Sequence, residues 1–77
     1  MEINLLAFGQ IAEITGKSAW KMIEIKNTNT LIKNLEDQFP ALVKMKYSIA
    51  VNKKVIQENT ILNDNDTIAL LPPFSGG

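Results

Sequence analysis

Cysteine, histidine and arginine are all missing from this chain of 77 residues. Without cysteine it has no disulfides and no thiol nucleophile, and without histidine it has no imidazole base and no zinc site of ordinary composition. The eight basic residues are all lysine and are balanced by eight acidic ones. With no guanidinium for bidentate contact to phosphates or base edges, nucleic acid is not an expected partner. No apolar run approaches the roughly 20 residues of a membrane span, so no membrane partner is expected. The start, Met1-Glu2-Ile3, lacks the basic segment of a signal peptide, and the expected location is cytoplasmic. Any covalent chemistry must use a terminal group or borrow residues from a partner, and no bound metal or cofactor is expected.

What is present is enough for one small domain. Apolar residues make up 45% of the chain, ordinary for a globular fold that must stand on its core alone. Met1 to Phe8 reads as a strand with Ile3, Leu5 and Ala7 on one face and Asn4, Leu6 and Phe8 on the other, apolar on both as in a central strand. Gly9 to Gly16 reads as a short helical turn stopped by Gly16. Trp20 to Lys26 is expected to be a second strand with Ile23 and Ile25 inward.

Thr30 is the expected cap of a helix running from Leu31 to Phe39, whose stripe of Leu31, Ile32, Leu35 and Phe39 lies opposite Lys33, Asn34, Glu36 and Asp37. Pro40 ends it. Ser48 to Asn52 and Lys54 to Gln57 form a hairpin around Asn52-Lys53, and Ile61 and Leu62 anchor a polar connection in which Asn65 is suited to a left-handed turn. Thr67 to Leu71 closes the domain, with Ile68 and Leu70 inward and Ala69 and Leu71 outward. The pattern predicts an α+β roll: a mixed sheet with one main helix across one face and the first and last strands adjacent and parallel.

The end of the chain, Pro72-Pro73-Phe74-Ser75-Gly76-Gly77, reads differently from the domain spanning 1–71. Paired prolines favour an extended backbone, six residues project up to about 20 Å, and two terminal glycines leave the carboxylate unhindered. Such a tail can carry its carboxylate into another protein's site. Phe8 and Leu71, pointing away from the helix at the ends of neighbouring strands, are expected to form an apolar docking patch at the tail's base.

Strand ending in Phe8, Gly16 after a short turn, Thr-capped helix closing on Phe39-Pro40, Asp64-Asn65-Asp66 turn and Pro-Pro-x-x-Gly-Gly tail together resemble the small, sulfur-carrying subunit of molybdopterin synthase, a ubiquitin-like β-grasp family. Two departures are Asn65, where the family often has Gly, and Ala12, where an Arg often precedes the Glu matched by Glu13. The resemblance implies a carrier with no catalytic residues of its own. The Gly77 carboxylate would be adenylated with ATP by a ubiquitin-activating-like adenylyltransferase and thiocarboxylated by a sulfur donor protein. It would then be inserted into the large subunit of molybdopterin synthase, expected as a heterotetramer, to deliver sulfur to a pterin precursor of the molybdenum cofactor. It further implies Gly76 for clearance, Pro72 and Pro73 for aim, Ser75 at a variable position of the tail, and Phe8, Val55, Leu71 and Phe74 at the partner interface. A thiamine-pathway sulfur carrier and a ubiquitin-like protein modifier share the Gly-Gly end and stay open at this point.

Overall fold

The computed structural model describes residues 1–72. Five strands and two helices follow the order β1 (Glu2–Ala7), α1 (Gly9–Thr15), β2 (Ala19–Ile23), α2 (Thr28–Gln38), β3 (Ser48–Val51), β4 (Lys54–Ile56) and β5 (Thr67–Leu71), with a 3₁₀ turn over Pro40–Lys44 after α2. The sheet order is β2-β1-β5-β3-β4. β1 and β5 run parallel at the centre, as their two-sided apolar pattern requires, and the other pairs are antiparallel. This mixed sheet with a helix across one face is the ubiquitin-like β-grasp fold.

The core lies between the sheet and the helices. Ile3, Leu5, Ile68 and Leu70 are fully buried against Leu31 and Leu35 of α2, Ile11 of α1 and Leu42 of the 3₁₀ turn. Ile32 and Phe39 pack on its margin, so the helix stripe has the expected phase. Pro40 opens the 3₁₀ turn after the Phe39 N–H has bonded back to the Leu35 carbonyl at 2.7 Å. Gly16 closes α1 in the left-handed conformation, its N–H on the Ala12 carbonyl at 2.9 Å. Asn52 and Lys53 both have positive φ, 49° and 75°, the pair of left-handed residues that a tight hairpin turn needs. Asn65 is left-handed as expected, φ 69°.

Three expectations give way. β2 ends at Ile23, not Lys26, and Ile23 faces outward at 66% exposure while Trp20 and Met22 face the core. Its neighbour Glu24 sits at φ 59°, and this left-handed kink reverses the facing of the chain, so that Ile25 is buried beyond the strand while Ile23 is not. The cap of α2 is Asn27, whose side-chain Oδ1 accepts from the Thr30 N–H at 2.8 Å. Thr30 is the residue capped, because the helix begins two residues earlier, at Thr28. Thr28 is buried, its hydroxyl oxygen accepting from the Thr60 N–H at 2.9 Å. In the connection after β4, Leu62 is buried but Ile61 is exposed, paired by its backbone in a bridge with Asn27. One anchor suffices, and successive residues of extended chain point opposite ways.

Candidate functional site

The sheet face away from α2 gathers the residues singled out above. Ladder partners share a face, so Leu6, Ala69, Ala50 and Val55 form one row across β1, β5, β3 and β4. The two alanines at the centre keep the floor of this row low. Phe8, Leu6, Leu71 and Val55 stand around it, and together they enclose an open apolar concavity of about 470 Å³ with Asn52 and Lys53 at its far end. Phe8 is 46% exposed and Val55 53%, whereas Leu71 is half-buried. Three of the four expected interface residues therefore share one surface. The fourth, Phe74, lies with Pro73, Ser75, Gly76 and Gly77 outside the described residues.

Sequence reasoning leaves Leu6, Ala50 and Ala69 out of the site. The signal for Leu6 and Ala69 is their outward parity, but Ala50 is visible only through its register with Ala69 and Val55. No local pattern carries that pairing.

The root of the tail is held at the rim of this concavity. Phe8 is extended, φ −125° and ψ 153°, and its N–H donates to the Leu70 carbonyl at 3.3 Å, carrying the β1–β5 pairing one residue past β1. Gly9 follows at φ 56°, and a Cβ built on it would stand 3.1 Å from Cγ of Pro72. A side chain on Gly9 would crowd that proline and force one of the two to shift by a few tenths of an ångström. Pro72, the last described residue, thus leaves β5 beside Phe8 and Leu71.

Several polar groups elsewhere are bonded within the chain. At the α2 N-terminus the N–H groups of Thr28, Asn29 and Thr30 donate to the Thr60 carbonyl, Asn59 Oδ1 and Asn27 Oδ1 at 2.9, 2.9 and 2.8 Å, leaving none of these three for a phosphate. Asp66 accepts from Asn52 Nδ2 and the Asn63 N–H, and Asp64 from the Glu2 N–H, tying the start of β1 to the turns around β5. The Tyr47 hydroxyl, 3.4 Å from Glu36 Oε2, is pushed up to about 12 by burial and then by that carboxylate, so it is neutral at physiological pH. Among the described residues no group of three acidic side chains is placed to hold a metal ion, and no helix is long and apolar enough to cross a membrane.

A family model described as the ThiS family matches residues 5–77. Two curated relatives carry the name molybdopterin synthase sulfur carrier subunit. The one from Mycobacterium tuberculosis is 27% identical over 100% of this chain and 99% of its own length. The one from Arabidopsis thaliana is 30% identical over 100% and 84%. Among solved structures, a chain in the complex of subunits 1 and 2 of the molybdopterin-converting factor from Helicobacter pylori aligns over 100% of both chains at 28% identity and a TM-score of 0.77. The small archaeal modifier protein 1 from Methanosarcina acetivorans aligns over 99% of this chain and 96% of its own at 25% identity and a TM-score of 0.82.

Proposed function

Since the chain belongs to the ThiS family, we propose that it is the sulfur carrier of a molybdopterin synthase and that Gly77 carries the sulfur. The observation that supports this most directly is the root of the tail, Pro72 seated on Gly9 at the rim of the apolar concavity. A large subunit that grips Phe8, Val55 and Leu71 receives the tail at a constant place. Pro73 continues the aim, Phe74 adds an apolar hold, Ser75 spans, and Gly76 clears a narrow channel. The relatives named as sulfur carriers and the Helicobacter pylori complex of subunits 1 and 2 point to the same partner.

The chemistry follows from the carboxylate. As an anion it is a poor electrophile, so one Gly77 oxygen first attacks the α-phosphorus of ATP on an activating enzyme and pyrophosphate leaves. Sulfide-level sulfur from a donor protein then attacks the acyl carbon and AMP leaves, giving a thiocarboxylate. In the large subunit that sulfur bonds to a carbon of the pterin precursor as an oxygen leaving group departs, and water then cleaves the thioester at its acyl carbon, leaving the sulfur on the pterin and returning the Gly77 carboxylate. Tethering supplies much of the rate, because a positioned nucleophile acts at an effective concentration that free sulfide cannot reach. The chain's own part is to hold, aim and deliver; proton transfers belong to the partner.

A second reading, a protein modifier joined through Gly77 to lysines, draws support from the likeness to the archaeal modifier protein. Intact mass spectrometry of the protein purified from its native cell separates the two. A carrier shows a gain of one sulfur for one oxygen at the C-terminus. High-mass lysine adducts without that species would replace the carrier reading with the modifier one, and a thiamine-pathway role would appear as thiazole product in place of dithiolene product on reconstitution.

A further inference from the structure

Of the described residues that line the concavity of Phe8, Val55 and Leu71, Lys53 alone is charged. Its neighbour Lys54 pairs with Val51 and lines a different groove, at the edge of β4. Asp66 approaches the same turn, but its Oδ1 accepts from Asn52 Nδ2 at 2.9 Å and its Oδ2 from the Asn63 N–H at 2.8 Å. Among the described residues no carboxylate lies within ion-pair distance of the Lys53 ammonium. The turn that carries this lysine is pinned. The Asn52 N–H donates to the Thr67 carbonyl at 2.8 Å, and Asn52 Oδ1 accepts from the Thr67 N–H at 2.9 Å, so the backbone at Lys53 is fixed relative to β5 and the alanine floor. Lys53 itself stands at φ 75°, at the second position of a tight hairpin turn, where glycine is favoured because a side chain is strained there. Asparagine visits this conformation at little cost, and lysine has no such allowance. A strained, exposed residue whose charge is unused within the described chain points to a use outside it.

We propose that Lys53 selects which protein docks on the concavity, by pairing with a carboxylate of the large subunit as that subunit's apolar groups settle on the alanine floor. This rests on the carrier reading above and names the chemistry of the partner's face: apolar at its centre, with an aspartate or glutamate at the edge nearest the β3–β4 turn. A lysine suits the place, because its methylene stem lies along apolar surface while its ammonium stays at the water's edge. Docking strips water from that edge. A carboxylate brought there gains more than at an open surface, whereas a neutral or basic partner group leaves the ammonium desolvated and unpaired. The charge therefore acts mainly against wrong partners: an apolar face without an acid, or one carrying a cation, is rejected from the same seat.

The test is calorimetry of the full chain against the large subunit of molybdopterin synthase purified from the same cells, at low and at high salt. Lys53→Gln should weaken binding about tenfold at low salt and by less at high salt, Lys53→Glu by more, and Lys53→Arg by less than about twofold. Lys53→Gly should lose as much affinity as Lys53→Gln yet raise the thermal midpoint by about 4 °C, because the turn sheds its strain. Lys33→Gln, exposed on α2 across the sheet, should leave binding unchanged. Among large-subunit variants in which each acidic residue is replaced in turn by lysine, one should restore binding to Lys53→Glu. Wild-type affinity in Lys53→Gln, an equal loss in Lys53→Arg or Lys33→Gln, a Lys53→Gly midpoint no higher than wild type, or the absence of a restoring lysine would each overturn the proposal and leave the carrier reading standing. A wild-type chain that binds no large subunit would overturn both.

Discussion

Replacing Gly9 by alanine separates the aim of the tail from the stability of the domain. At φ 56° an alanine is held in the left-handed region, which costs roughly 1–2 kcal/mol. Its Cβ would also meet Pro72 Cγ at 3.1 Å, closer than the roughly 3.5 Å at which two carbons rest, so Pro72 must yield by about 0.4 Å. Pivoting one residue from Leu71, that is a rotation of about 0.1 rad, and over five further residues at about 3.4 Å each it carries the end of a stiff tail about 2 Å aside. A misplacement of 1 Å can cost about a hundredfold in rate, although a partner's channel recaptures part of it. The expected result for Gly9→Ala is a fall of about tenfold to a hundredfold in dithiolene formation at limiting carrier, with the thermal midpoint lowered by about 5–15 °C. The assay is reconstitution with activating enzyme, sulfur donor and large subunit at a temperature where the variant is fully folded. Pro72→Ala removes the Cγ atom, so in that background Gly9→Ala should lose most of its effect on rate and keep its effect on stability. A wild-type rate in the single variant, or the same rate loss whether or not Pro72 is present, would refute the contact as the cause.

Deleting Gly77 or adding one residue after it shifts the carboxyl by about 3.5 Å and should abolish sulfur transfer with secondary structure and stability unchanged; near-normal product from either would leave an interaction module whose Gly-Gly end is incidental. Phe8→Ala and Leu71→Ala should each weaken large-subunit binding by about 1–3 kcal/mol in calorimetry, and unchanged affinity in both would return them to the ordinary surface. Leu35→Ala, truncating a fully buried side chain, should lose about 2–5 kcal/mol in denaturant unfolding, and a loss under about 1 kcal/mol would contradict the packing of α2. Tyr47 binds its proton more tightly folded, about 12, than unfolded, about 10. Its stabilising contribution is therefore whole below pH 10 and is lost as the pH rises toward 12. Tyr47→Phe should remove that part of the alkaline destabilisation in pH-dependent melting curves, and an unchanged alkaline limb would dismiss the upward shift that burial and then Glu36 produce.

The fold was largely legible in sequence because its main signals are local. The Leu31–Leu35 spacing phases α2 by helical geometry alone, Asn52-Lys53 and Asn65 announce their turns by the backbone angles their neighbours need, and apolar residues on both faces of 2–7 and 67–71 require central strands. The misreadings fall where two local rules compete. Period-two alternation puts Ile23 and Ile25 on one face, but the single left-handed residue between them, Glu24, reverses it. Asn27 and Thr30 are both good caps, and the burial of Thr28 under Thr60, more than thirty residues away in sequence, decides for Asn27.

By itself the sequence determined what chemistry is open to this protein. It has no thiol, imidazole or guanidinium group, because functional groups are a matter of composition. Tertiary structure decided what stands around Pro72, the last described residue. The alanine floor between Phe8 and Val55 exists only in the register of β5 with β3 and of β3 with β4, and the seat of Pro72 on Gly9 joins residues 63 positions apart. Neither is written in any run of adjacent residues, since strand register and the approach of two backbones are settled by the packing of the whole core.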